Sequence, residues 1–144
     1  MRTFIAAAIL ALATLPATAG EGYNLYPYDG SFEDAASSVE NAIIGAGLVI
    51  DYISQTGEML ARTRADVGSD VVLFDAAKIF VFCSASLSRK MMEADPMNIA
   101  YCPYGIFVSD RDGDVVIGFR DYPEGIMQEV EALLSSIAEE AASF

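Results

Sequence analysis

The spacing of apolar positions changes several times along the chain, and the changes outline its elements. Phe32, Ala35, Ala36, Val39, Ile43 and Ala46 fall three or four residues apart, which places them on one face of a helix. Ser31 stands at the N-cap position with Asp34 three residues on, and Gly45 and Gly47 follow the run. A helix over 32 to about 45 is expected. Ahead of it, Gly22 to Tyr28 holds Tyr23, Leu25, Tyr26 and Tyr28 around Pro27; it reads as an edge strand, because proline is tolerated there and not in a central strand. Leu48 to Ile53 is a strand by its β-branched and aromatic content. The stretch from Thr56 fits either of two elements. One is a helix capped by Thr56, carrying Met59, Leu60, Thr63 and Val67 and stopped by Gly68; the other is a hairpin partner over Glu58 to Thr63. Phe74 to Lys78 has no clear period.

Ile79-Phe80-Val81-Phe82-Cys83 is apolar throughout, the pattern of a central strand covered on both faces. Ser84 or Ser86 caps a helix in which Leu87, Met91 and Ala94 share a face, and Asp95-Pro96 closes it because the residue before proline avoids helical angles. Gly105 to Ser109 and Val115 to Arg120 are strands joined across Asp112-Gly113, a dipeptide favoured in two-residue hairpin turns. Behind Pro123, the residues Ile126, Val130, Leu133, Leu134, Ile137 and Ala141 line a last helix. The order gives a single α+β domain, with an antiparallel or mixed sheet of about five strands packed against two or three helices.

The N-terminus reads differently from everything after it. Met1-Arg2-Thr3 precedes an apolar run from Phe4 to about Leu15, then Pro16-Ala17-Thr18-Ala19 before Gly20. A basic start, a short apolar core and an Ala-x-Ala end make a secretory signal peptide over residues 1–19, cleaved between Ala19 and Gly20. The run is well short of the roughly 20 apolar residues that a membrane span needs. The expected address is periplasmic or secreted, with residues 20–144 as the mature domain and no membrane span in it.

Charge and composition narrow the chemistry. The chain carries 8 Lys plus Arg against 21 Asp plus Glu, a net charge of −13, and loss of Arg2 with the signal makes the mature domain one unit more negative. Nucleic acid and anionic membranes would be repelled, and the basic residues form no stripe. There is no histidine, which excludes Ser-His-Asp and Cys-His nucleophile systems and His-based metal sites. No pair of carboxylates stands in an apolar setting that would separate an acid from a base.

Two cysteines remain. Cys83 ends the apolar strand just before a helix begins, where backbone N–H groups and the helix dipole lower a thiol's pKa. Cys102 lies ahead of Pro103 and the next strand. In an oxidising compartment the two pair as a structural disulfide, provided that the segment after the helix carries Cys102 back to Cys83. The alternative is a thiol-redox pair, or a soft-metal (copper) site in which Cys83 and Cys102 are joined by Met91, Met92 and Met97. Asp110, Asp112 and Asp114 alternate around Gly113 but lack the spacing of a calcium loop, and a hairpin turn accounts for them. Tyr23, Tyr26, Tyr28, Tyr101 and Tyr104 could line a groove or pack as core and edge.

The segments Phe80-Val81-Phe82-Cys83-Ser84-Ala85, Met91-Met92-Glu93-Ala94-Asp95-Pro96 and Ala100-Tyr101-Cys102-Pro103-Tyr104-Gly105-Ile106-Phe107-Val108, with the Asp112-Gly113 hairpin, resemble the family known as domain of unknown function 302. The similarity runs in weaker form from about Gly22 to the C-terminus. Two positions depart from the family pattern: Ser84-Ala85 stands where Asn-Pro is common, and Cys102 precedes the proline that it more often follows. The resemblance implies a TATA-binding-protein-like α+β domain with helices on one side of an antiparallel sheet, and it brings no reaction, cofactor or catalytic residue. Taken together, the sequence points to an exported module without a cofactor, more in keeping with binding a small ligand or a periplasmic protein than with catalysis.

Overall fold

The computed structural model describes residues 18–20 and 22–143. The expected signal peptide over residues 1–19 lies outside the described residues apart from Thr18 and Ala19, which with Gly20 form β1 (Thr18–Gly20). Then follow β2 (Tyr23–Pro27), α1 (Phe32–Gly45), β3 (Val49–Ser54), α2 (Thr56–Thr63), β4 (Ala76–Cys83), α3 (Ala85–Ala94), a 3-10 helix (Pro96–Tyr101), β5 (Tyr104–Arg111), β6 (Asp114–Arg120) and α4 (Gln128–Ala142). All pairings are antiparallel, and the six strands lie in the order β1-β2-β6-β5-β4-β3. The expected α+β class is what is found, with six strands in place of about five because of the three-residue β1. The described residues hold four α-helices where two or three were expected, since the Thr56 stretch resolves as helix and not as a hairpin partner.

Local chemistry explains most boundaries. Ser31 is extended and its Oγ accepts the Asp34 N–H, so α1 starts as its cap dictates; Gly47 takes φ +76° just after its end. Gln55, and not Thr56, precedes α2, and it makes no side-chain cap. The β5–β6 turn has Asp112 at φ 56° and Gly113 at φ 87°, left-handed angles that a tight hairpin needs at both central residues. Asp110 accepts the Gly113 N–H and Asp75 accepts the Asp112 N–H. These aspartates cap a turn. The strand expected at the edge is instead second in the sheet, flanked by β1 over Tyr23 to Leu25; Pro27 pairs with Val116 of β6 and has no β1 partner among the described residues.

The helices α1 and α4 cover one face of the sheet. Tyr26, Phe80, Phe82, Tyr104, Ile106, Val108, Val115, Ile117 and Phe119 are buried beneath Ala35, Val39 and Ile43 of α1 and Val130, Leu134 and Ile137 of α4. Full burial of each large apolar side chain contributes about 1.5–3 kcal/mol. One expectation is corrected here. The unbroken run of β4 is covered on one face only: Phe80 and Phe82 are buried, whereas Ile79 and Val81 stay half-buried on the opposite face. On that opposite face Gly118 has a packing reason. A Cβ there would stand 2.5 Å from Phe107 Cζ, 2.8 Å from Leu25 Cδ2 and 2.7 Å from the Asn24 carbonyl oxygen. Side chains can yield, but the β2 backbone cannot without losing its ladder. Gly118→Ala is expected to cost about 1–3 kcal/mol by urea denaturation; a variant as stable as the parent would contradict this packing.

Candidate functional site

The chain brings its two cysteines together by a short excursion at one end of the sheet. β4 ends at Cys83, and Ser84, extended at φ −102° and ψ 113°, accepts the Leu87 N–H through its Oγ and starts α3. Asp95 ends that helix and caps the next, its carboxylate accepting the Met97 N–H at 2.9 Å. The 3-10 helix is the return leg. Asn98 Nδ2 donates to the Met91 carbonyl at 2.9 Å, tying this leg back onto α3, and the Cys102 N–H donates to Ile99 at 3.1 Å. Cys102 then meets β5 through Pro103. The two Sγ atoms lie 3.3 Å apart, as free thiols.

Polar and aromatic groups surround the pair. Ser88 Oγ lies 3.7 Å from Cys102 Sγ and donates to the Tyr104 hydroxyl at 3.0 Å. Tyr104 packs edge-on against Phe82 and Tyr122, and Tyr122 also meets Tyr101. The Arg120 guanidinium sits 5.5 Å from the Tyr101 ring and 5.4 Å from the Tyr122 ring, contacts worth about 0.5–1 kcal/mol each. Arg120 thus has a place that its scattered position in the sequence does not indicate. Ser88 was also not singled out from the sequence; the signal available was the third of three alternating serines, Ser84, Ser86 and Ser88, three residues before Met91.

The electrostatics correct the expectation for Cys83. A position before a helix lowers a thiol's pKa in isolation, yet the Cys83 thiol is pushed up to about 11. Burial is the largest cause, followed by the hydrogen bond to Cys102 and the charges of Cys102 and Asp51; a backbone contact from Tyr104 opposes them. The first turn of α3 gives its N–H to Ser84 Oγ and not to the thiol. Burial likewise raises the Tyr104 and Tyr122 hydroxyls. Cys83 is therefore a neutral thiol at physiological pH.

The methionines separate. Met91 is 1% exposed in the core, Met92 is half-buried and Met97 is 69% exposed on the 3-10 helix. Among the described residues no group of three or more His, Cys, Asp or Glu could hold a metal ion; the polar side-chain groups gathered here are the two thiols and the Ser88 and Tyr104 hydroxyls. Of the tyrosines, Tyr26 and Tyr104 are core, Tyr28 and Tyr101 are half-buried, and Tyr23 is 45% exposed. No helix among the described residues is long and apolar enough to cross a membrane.

Comparison with known proteins agrees with the fold. No curated protein matches the chain. A crystal structure of an uncharacterized conserved protein DUF302 from Bacillus stearothermophilus superposes with a TM-score of 0.68 at 13% identity, covering 85% of this chain and 99% of that one. At this identity the likeness speaks for the fold alone. Residues 26–143 match the family described as domain of unknown function DUF302, and the chain belongs to that family.

Proposed function

We propose that this chain is an exported, non-enzymatic binding module for a small ligand or a periplasmic protein, and that Cys83 and Cys102 close into a structural disulfide in the mature protein. The observation that carries the reading is the 3.3 Å approach of two thiols, one of which is pushed up to about 11. At that distance bonding asks for side-chain rotation and no backbone journey. A nucleophilic or redox-active cysteine needs the opposite shift, because the thiolate is the reactive species. The signal-like N-terminus supplies the oxidising compartment in which such a pair persists.

The rival is a thiol-redox or copper-binding protein that uses the same two cysteines, and it rests on the same approach. Expression of the full chain in a Gram-negative host tests both. The expected product is recovered from the periplasm, begins at Gly20 and retains no copper through dialysis. A product that stays in the cytoplasm with Met1 intact overturns export. Copper that is retained, and then lost on Cys83→Ser, overturns the structural role of the pair.

A further inference from the structure

The helix layer covers one face of the sheet, and the opposite face carries a continuous apolar floor. Its rows follow from the register. Leu25, Gly118, Phe107 and Ile79 align across β2, β6, β5 and β4; Pro27, Val116, Ser109 and Ala77 align beside them; Gly105, Val81 and Tyr52 align on the other side. The Phe107 ring reaches over Gly118 into the space that a Cβ would take, so it lies along the sheet and broadens the floor. Tyr52 is 61% exposed and Val49, at the end of β3, is 74% exposed.

Charge is divided between the two faces. The three rows hold no Asp or Glu in a chain with 21 of them. Charged residues stand at its margin: Arg120 at one end of β6, Arg111 and Asp114 beside the hairpin, and Asp51 at the β3 bulge, close enough to raise the Cys83 thiol. Seven of the acids stand on the two covering helices: Glu33, Asp34 and Glu40 on α1 and Glu129, Glu131, Glu139 and Glu140 on α4. The rows of the sheet face are uncharged between charged margins, and the two helices that cover the other face are acidic.

We propose that this sheet face, bare among the described residues, binds a second copy of this chain, sheet against sheet, in a twofold dimer. Two molecules this acidic repel each other in most orientations. Packing the two sheets together puts the acidic helix layers outermost, separated by stacked layers of roughly 10 Å each, well beyond the Debye length of about 8 Å at physiological salt. The face is also large enough. Five main strands about 4.8 Å apart, each some six residues long at about 3.3 Å per residue, offer a floor of roughly 24 by 20 Å, so a pair buries on the order of 1,000 Å². That area lies at the lower end for a specific interface, so the dimer should be reversible. Among the described residues a charged partner finds complementary groups only at the margin of this face. The proposal goes beyond the reading of the cysteines and stands or falls separately from it.

Sedimentation equilibrium of the mature protein, up to about 0.5 mM, tests it. The expected result is a reversible monomer–dimer equilibrium that tightens as salt rises, since screening relieves the residual repulsion and there are few ion pairs to weaken. Tyr52→Glu changes a side chain already exposed in the monomer, and should raise the dissociation constant at least about tenfold with an unchanged circular dichroism spectrum. Phe107→Ser should do the same, and Glu139→Gln on α4 should not. A protein that remains monomeric throughout, including one that instead takes up a different partner, overturns the proposal; so does a dimer indifferent to both Tyr52→Glu and Phe107→Ser. The measurement reads assembly and not thiol state. A monomer with a complete disulfide sinks the dimer alone, and a dimer with free thiols sinks the disulfide alone.

Discussion

Phe82→Ala is expected to lower the unfolding free energy by about 3–5 kcal/mol, the range for deleting a fully buried phenylalanine. Phe82 is 0% exposed and stands near the end of β4, paired with Ile50 on one side and Tyr104 on the other. Its ring meets Tyr104 edge-on at 6.5 Å between centroids. That contact is itself worth about 0.5–1.5 kcal/mol and holds the tyrosine that bonds Ser88 beside the thiols. The cavity has little chance to collapse, because α1 and α4 are braced against the same layer by their own buried residues. Ile99→Ala, at a position 59% exposed on the 3-10 helix, should by contrast change stability by no more than about 0.5 kcal/mol. Urea unfolding of both variants checks the claim. A Phe82 variant within about 1 kcal/mol of the parent would show that the core does not lie between these helices and the sheet.

Cys102→Ser is expected to remove about 3 kcal/mol from the oxidised mature protein. The cysteines are 19 positions apart, and closing a loop of about 20 residues restricts the unfolded chain by about that amount in the loop-entropy model. For a domain of this size the melting temperature should fall by about 10 °C. Cys83→Ser should cost the same, and the double variant no more than either, because each single change already opens the loop. Additive losses would mean two independent packing defects and no covalent link. Reduced protein should also show a distinct alkaline weakness. The fold holds the Cys83 proton beyond its ordinary value of 9.0, up to about 11, so the folded state binds more protons than the unfolded one between those values. The stability this gives is complete below about pH 9 and is lost as pH rises through about 11. Tyr104 and Tyr122, also raised, push in the same direction. Oxidised protein lacks the Cys83 part of that loss.

Much of this molecule was legible where a local signal and the global packing agree. The Ser31 cap, the Asp112-Gly113 turn and the 3.6-residue rhythm of α1 each specify a short stretch that the tertiary structure merely accepts. The last helix was legible in its face and less so in its start: Ile126 is 37% exposed and precedes α4, which begins at Gln128. An unbroken apolar run was ambiguous in another way. Ile79 to Cys83 looks the same whether two layers of helices cover it or one layer and a partner of a different kind, because alternation disappears in both cases. The return of Cys102 was invisible for a third reason. It depends on Asp95 serving both α3 and the 3-10 helix and on Asn98 reaching the Met91 carbonyl, polar contacts without any period. The Cys83 thiol shows the limit of reading by neighbours in sequence. The helix that follows it argues for a lowered pKa, and the burial that the fold imposes reverses the sign.

The central claim is that the two sulfurs are bonded in the exported protein. Mature protein from the periplasm, unfolded in the presence of an alkylating reagent and weighed by intact mass spectrometry, tests it most directly. Without prior reduction neither Cys83 nor Cys102 should be labelled, and after strong reduction both should be. Protein that takes two labels before any reductant is added would contradict the account.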